Sequence, residues 1–233
     1  FNNSRVLVFD VNTGADGPNA VNVLGQTDFT TGYTGRSQSR FANPRGLAFD
    51  QGNNRMYLAD SGNQRVIYFN VSAIVNGQNA EDGLGVQDGA GTYNWTMGVY
   101  NTPPNARGMS EALDVVLDTS SHRLFISDSR NSRVLGFDLD SNDTIVDRVA
   151  DHVLGQTTFG NASKNATQNK FYFPIGLDFD PAGRRLFVGD GYNNRILIYD
   201  LSGGISDGQN AAHVIGQTNF TNSGTGITQN QLC

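Results

Sequence analysis

The chain has 233 residues and carries 16 lysines plus arginines against 22 acidic residues, a formal net charge of −6. That length fits one domain, and the acidic balance, with only two lysines (Lys164 and Lys170), leaves no basic face to neutralise phosphates, which argues against a nucleic-acid partner. No apolar run approaches the roughly 20 residues that a membrane-spanning helix needs, so no membrane span is expected.

In chain order, residues 1–29 read as two strands, Arg5–Asp10 and Asn19–Gln26, the second ending in VLGQ. Residues 30–87 open on Phe41-Ala-Asn-Pro44-Arg45 and continue as GLAFD, RMYLAD, a turn Asp60-Ser-Gly-Asn63-Gln-Arg65, VIYF, and a last strand ending in GLGVQ. Residues 88–108 read as an insert carrying Tyr93, Trp95 and Tyr100. The series then recurs over 109–159 (DVVLD, RLFISD, Asp128-Ser-Arg-Asn131-Ser-Arg133, VLGF, VLGQ) and over 160–220 (GLDFD, RLFVGD, Asp190-Gly-Tyr-Asn193-Asn-Arg195, ILIY, VIGQ). Residues 221–233 read as the segment leading out of the last unit. The motif arginines at 5, 65, 133 and 195 give spacings of 60, 68 and 62. A period of that size, built from four short alternating strands and Gly/Asn/Asp turns, implies an all-β propeller of four-stranded blades: three complete blades and, at 1–29, a half blade.

The run P-x-GLAFD, N-R-x-YLAD and SGNQRVIYF resembles the NHL repeat, and the extension NGQNA…LGQTDF is similar to a long-repeat variety of secreted bacterial proteins; the resemblance covers nearly the whole chain. It implies an NHL-type β-propeller in which the first strand of each blade lines a central channel and the fourth lies outermost. The third unit departs from the pattern, with Ala112 in place of the proline and Asp114 in place of the glycine. The half blade is expected to lack its two inner strands, so the chain is read either as a piece of a longer polypeptide or as one whose open edge pairs with another protein or a like subunit.

Side chains with chemistry are few. The repeated Asp60/Asn63/Arg65, Asp128/Asn131/Arg133 and Asp190/Asn193/Arg195 are expected to knit the turn between second and third strands, because a catalytic group does not recur once per blade. Arg5 keeps its Asn but has no Asp. His152 and His213 share one outer-strand position in different blades and His122 sits in a turn, so the three cannot meet around one metal. Glu111, Asp114 and Asp178 are the weak metal candidates, suited to Ca²⁺ if to any ion, with no cofactor otherwise expected. Seven sequons, at Asn2, Asn70, Asn94, Asn142, Asn161, Asn165 and Asn219, fall in loops and are candidate glycosylation sites of a secreted chain. Cys233 is the lone cysteine and receives no role.

Two functions remain open at this stage. One is a non-catalytic extracellular scaffold that binds protein, glycan or like subunits, with Arg45, Leu113 and Ile175 at the channel entrance and Tyr93, Trp95 and Tyr100 of the insert as binding candidates. The other is a metal-dependent hydrolase or lyase with part of its site outside this chain.

Overall fold

A computed structural model describes residues 3–12, 14, 16–86 and 92–232. Among them are fourteen strands and no α-helix. The first sheet, which is the half blade and the first of four blades numbered in chain order, is a pair, β1 (Val6–Phe9) with β2 (Ala20–Leu24). Three four-stranded antiparallel sheets follow, each in simple meander order. The first comprises β3 (Pro44–Asp50), β4 (Arg55–Asp60), β5 (Arg65–Asn70) and β6 (Asp82–Leu84). The second comprises β7 (Ala112–Asp118), β8 (Arg123–Asp128), β9 (Arg133–Asp138) and β10 (His152–Leu154), and the third β11 (Pro174–Asp180), β12 (Arg185–Asp190), β13 (Arg195–Asp200) and β14 (His213–Ile215). Strand β7 packs between β3 and β11, so the innermost strands stand side by side and the sheets follow one another as propeller blades. The array is open rather than closed into a ring.

Burial explains the sequence pattern. A blade is covered on both faces by its neighbours, so its middle strands read as unbroken apolar runs; Tyr57, Leu58 and Ala59 are all fully buried. The apolar cores therefore lie between blades. One joins Ala48, Tyr57 and Leu84 to Val115, Ile126 and Phe137. Another joins Phe125, Val134 and Leu154 to Leu177, Val188 and Tyr199. A third packs Leu24 of the two-stranded sheet on Phe41, Leu58 and Phe69.

Polar repeats fasten the outer rim. The NGQN segments lie over the fourth strand of the preceding blade: Gly77 N–H donates to the Val23 carbonyl and Asn76 accepts from Val23 N–H, an arrangement repeated by Gly208, Asp207 and Val153. The glutamine of LGQ is buried and donates to the backbone on both sides: Gln156 to the carbonyls of Ser132 and Ser163, and Gln217 to those of Asn194 and Gly224. Its neighbour Gly155 has φ +84 and sits under the Phe171 ring, where a Cβ would lie 2.2 Å from a ring carbon. Only glycine meets both demands.

Candidate functional site

Each Asp-x-x-Asn-x-Arg motif bridges the second and third strands of its blade. Its central residues, Ser61–Asn63, Ser129–Asn131 and Gly191–Asn193, form one turn of 3-10 helix, a feature absent from the sequence reading, which held only strands and turns. The next residue is left-handed in each case, at φ +58 (Gln64), +51 (Ser132) and +50 (Asn194). The carboxylates of Asp60, Asp128 and Asp190 are fully buried with the side chains of Arg65, Arg133 and Arg195. Asp128 Oδ2 accepts from Arg133 Nε at 2.6 Å and Asn131 Nδ2 at 2.9 Å, while Oδ1 accepts from Ser110 N–H at 2.6 Å. Burial pushes these carboxyls upward, against the pull of the guanidinium and the donated hydrogen bonds. The rest of each guanidinium holds carbonyls: Arg133 reaches Asn105 and Gly108 before its blade and Phe159 after it. Arg65 similarly reaches Ser37, Arg40 and Trp95, and Arg195 reaches Thr167, Lys170 and Phe220. Arg5, without an aspartate, still donates to the carbonyls of Phe29 and Thr31.

Innermost strands β3, β7 and β11 carry a register shift at Pro44/Leu47, Ala112/Val115 and Pro174/Leu177. Such bulges re-aim side chains, and these bring Arg45, Leu113 and Ile175 to one depression of ≈ 570 Å³ together with Pro44, Gly46 and Asp114. Asp114 is an interblade clamp here. Its Oδ2 accepts from Leu177 N–H on β11 at 2.8 Å, its Oδ1 accepts from Val115 N–H at 2.9 Å, and its own N–H donates to Ser127 Oγ at 2.8 Å. Gly46 of β3 lies so close that a Cβ there would meet the carboxylate at 1.9 Å. Burial, with Asp178 adding a like charge, raises the Asp114 carboxyl.

The three weak metal candidates are not brought together as a set. Glu111 pairs with Arg130 Nε at 2.7 Å, and Asp178 accepts from Phe179 N–H. Among the described residues no group of three His, Cys, Asp or Glu is placed to hold an ion. His122 instead binds Asp143 Oδ1 at 2.8 Å, tying a blade-three loop to its own inner turn, and His152 and His213 lie apart on β10 and β14.

The insert aromatics divide. Tyr93 is buried against Trp95, ring centroids 4.6 Å apart, and both pack on the core of β4 and β5. Tyr100 is exposed, with the Arg130 guanidinium 5.0 Å from its ring centroid. Sequence reasoning missed a second aromatic group. Tyr192, in the turn after β12, stacks on Phe173 at 5.0 Å and meets Tyr172 edge-on at 4.8 Å, with Lys164 over the Tyr172 ring. The available signal was that blade four alone carries aromatics at these turn positions, where blades two and three have Ala42, Asn43, Gly62 and Ser110, Glu111, Arg130.

Of the sequons, Asn70, Asn142, Asn161, Asn165 and Asn219 are exposed and Asn94 is half-buried; Asn2, like Cys233, lies outside the described residues. At Asn70, Asn94 and Asn219 the side-chain oxygen accepts from the hydroxyl two residues on.

The two-stranded sheet leaves apolar surface open. Leu47 and Phe49 on β3 are 50% and 54% exposed, whereas Val115 and Leu177, which hold the place of Leu47 in the later blades, are 1% and 9% exposed, covered by the preceding blade. Among the described residues β1 pairs with β2 alone, and Phe9 is 47% exposed where its counterpart Phe69 is fully buried.

No protein-family model matches the sequence, and no curated protein matches it. Among solved structures the chain is similar to a chain of the crystal structure of a nidogen/laminin complex, with 14% identity and a TM-score of 0.44 over 78% of this chain. The match spans 50% of that chain, so the present sequence corresponds to about half its length.

Proposed function

We propose that this chain is a non-catalytic, secreted scaffold built of NHL-type blades, which binds a protein partner through its open first blade. The observation that carries the reading is the exposed Leu47 and Phe49 face beside the unpaired edge of β1. An apolar sheet face next to unused backbone donors and acceptors is a docking template. The covering that Val115 and Leu177 receive from preceding inner strands gives the partner's chemistry: two antiparallel strands with alternating apolar residues. A like subunit presenting such strands would serve as well as another protein. Support for the NHL assignment is the repeated run GLAFD, YLAD and SGNQRVIYF with its buried Asp–Asn–Arg cluster. Secretion is supported by the exposed sequons, which glycosylation requires to be accessible.

The test uses a labelled synthetic peptide with the chain's own Phe173–Asp190 hairpin sequence, added in trans. Saturable binding with new amide-exchange protection at Val6–Phe9, abolished by Leu47→Asp, is the expected result. Absence of binding, or equal binding by the Leu47→Asp variant, would overturn it.

A further inference from the structure

We infer that the aromatic group of Tyr172, Phe173 and Tyr192, with Ile175 beside it, is a separate binding site for a neutral carbohydrate chain. In a repeat protein the fold asks for the same residue types at equivalent positions, so departures gathered in one place answer to something other than the fold. These four positions differ in every blade, and blade four alone fills three of them with aromatics: Tyr172 stands where the other blades have Ala42 and Ser110, Phe173 where they have Asn43 and Glu111, and Tyr192 where they have Gly62 and Arg130, while Ile175 stands where they have Arg45 and Leu113. The four meet in space. Phe173 and Tyr172 contact the Tyr192 ring, and Ile175 lies against Gly191, the residue before it, where a Cβ would come within 3.2 Å of its side chain.

The arrangement is held at a cost. Phe173 has φ +63, a left-handed conformation that the fold imposes at this position in all three blades, on Asn43 at φ +50 and on Glu111 at φ +65, so the added cost lies in the bulk of the ring. Asparagine tolerates that region, while a bulky side chain there is strained. The ring so placed stacks on Tyr192, which remains 59% exposed. Strain kept to support an exposed side chain points to use of that side chain.

Charge selects the ligand. The cations around the platform already have partners: Lys164 lies over the Tyr172 ring, and Arg130 pairs with Glu111 and stacks on Tyr100. Asp114 in the adjoining depression spends its carboxylate on two backbone N–H groups, and Arg45 is likewise engaged. An ionic ligand would have to compete with these contacts. An uncharged pyranose would not, because its apolar face offers C–H groups to the negative face of an aromatic ring while its hydroxyls remain free to bond at the rim. A chain stacked on Tyr192 runs past Ile175 into the depression, which has room for a neighbouring sugar unit.

The experiment is a glycan array carrying neutral hexose and N-acetylhexosamine oligosaccharides, acidic and sulfated glycans, and control peptides, probed with the intact chain and three variants. Retention on neutral oligosaccharides is expected, weakened roughly tenfold or more by Tyr192→Ala. Phe173→Asn restores the residue type of blade two, so it should weaken retention without lowering the melting temperature, which separates binding from folding. Leu47→Asp should leave retention unchanged, since it lies at the open first blade. No retention of neutral glycans, retention indifferent to Tyr192→Ala, or retention confined to acidic glycans or to peptides would each overturn the proposal.

Discussion

Arg133 illustrates what one side chain does in this fold. Its guanidinium is fully buried, neutralises Asp128 and satisfies three carbonyls, so Arg133→Ala leaves a buried carboxylate and three acceptors without partners. Chemical denaturation should show a loss of about 3–5 kcal/mol. Arg133→Lys should recover only part of that, because an ammonium cannot offer the planar fork. A second residue-level effect concerns pH. Burial, and then the Arg123 charge, hold His152 below its ordinary value of 6.5. With a depressed folded value, the unfolded chain binds the proton more tightly. Stability from this group is therefore complete above pH 6.5 and falls as the pH drops from there toward the folded value. His152→Gln should flatten that stretch of the stability profile. The spacing of Asp, Asn and Arg made the motif legible in the sequence, because those types bond only over short reach. The left-handed residue before each arginine was not legible, since Gln64, Ser132 and Asn194 share no signature.

At the level of elements, the first three strands of every blade could be read from alternation and turn residues, and the fourth from LGQ. The structure adds why LGQ recurs: its glycine makes a left-handed turn beneath an aromatic ring, and its glutamine pins two backbone segments. Gly155→Ala should cost about 2–4 kcal/mol, from the disfavoured φ together with the overlap on Phe171. The expected readout is a lowered denaturation midpoint with an unchanged slope. The insert was the illegible part. Phe159 and Phe220 follow their LGQ glutamines by three residues, whereas Trp95 follows Gln87 by eight. The added residues hide that the Trp95 carbonyl meets Arg65 as the Phe159 carbonyl meets Arg133. Trp95 therefore reads as a contact residue in the sequence, and in the fold its backbone is an anchor.

Across the whole molecule, equivalent residues differ in energetic weight according to what stands next to their blade. Leu47 and Leu177 occupy the same place in GLAFD and GLDFD, and nothing local distinguishes them. Leu177→Ala should cost about 2–4 kcal/mol as a buried truncation, while Leu47→Ala, at an exposed site, should change stability by about 0.5 kcal/mol or less. Parallel thermal melts of the two variants make the comparison. The Tyr172, Phe173 and Tyr192 group escaped the sequence reading for a related reason. Its members are separated by some 20 residues and meet only because a left-handed residue and a 3-10 turn face each other across the blade end.

Arg65, Arg133 and Arg195 each grip the chain on both sides of the blade, before the innermost strand and after the outermost. Contour length between two grips is thereby uncoupled from blade geometry. The repeats can run to 60, 68 or 62 residues while the strands keep their register. Such an architecture has room to vary: new peptide can be spliced in between fixed points, and a recognition surface can be lengthened or exchanged at one rim without renegotiating the core.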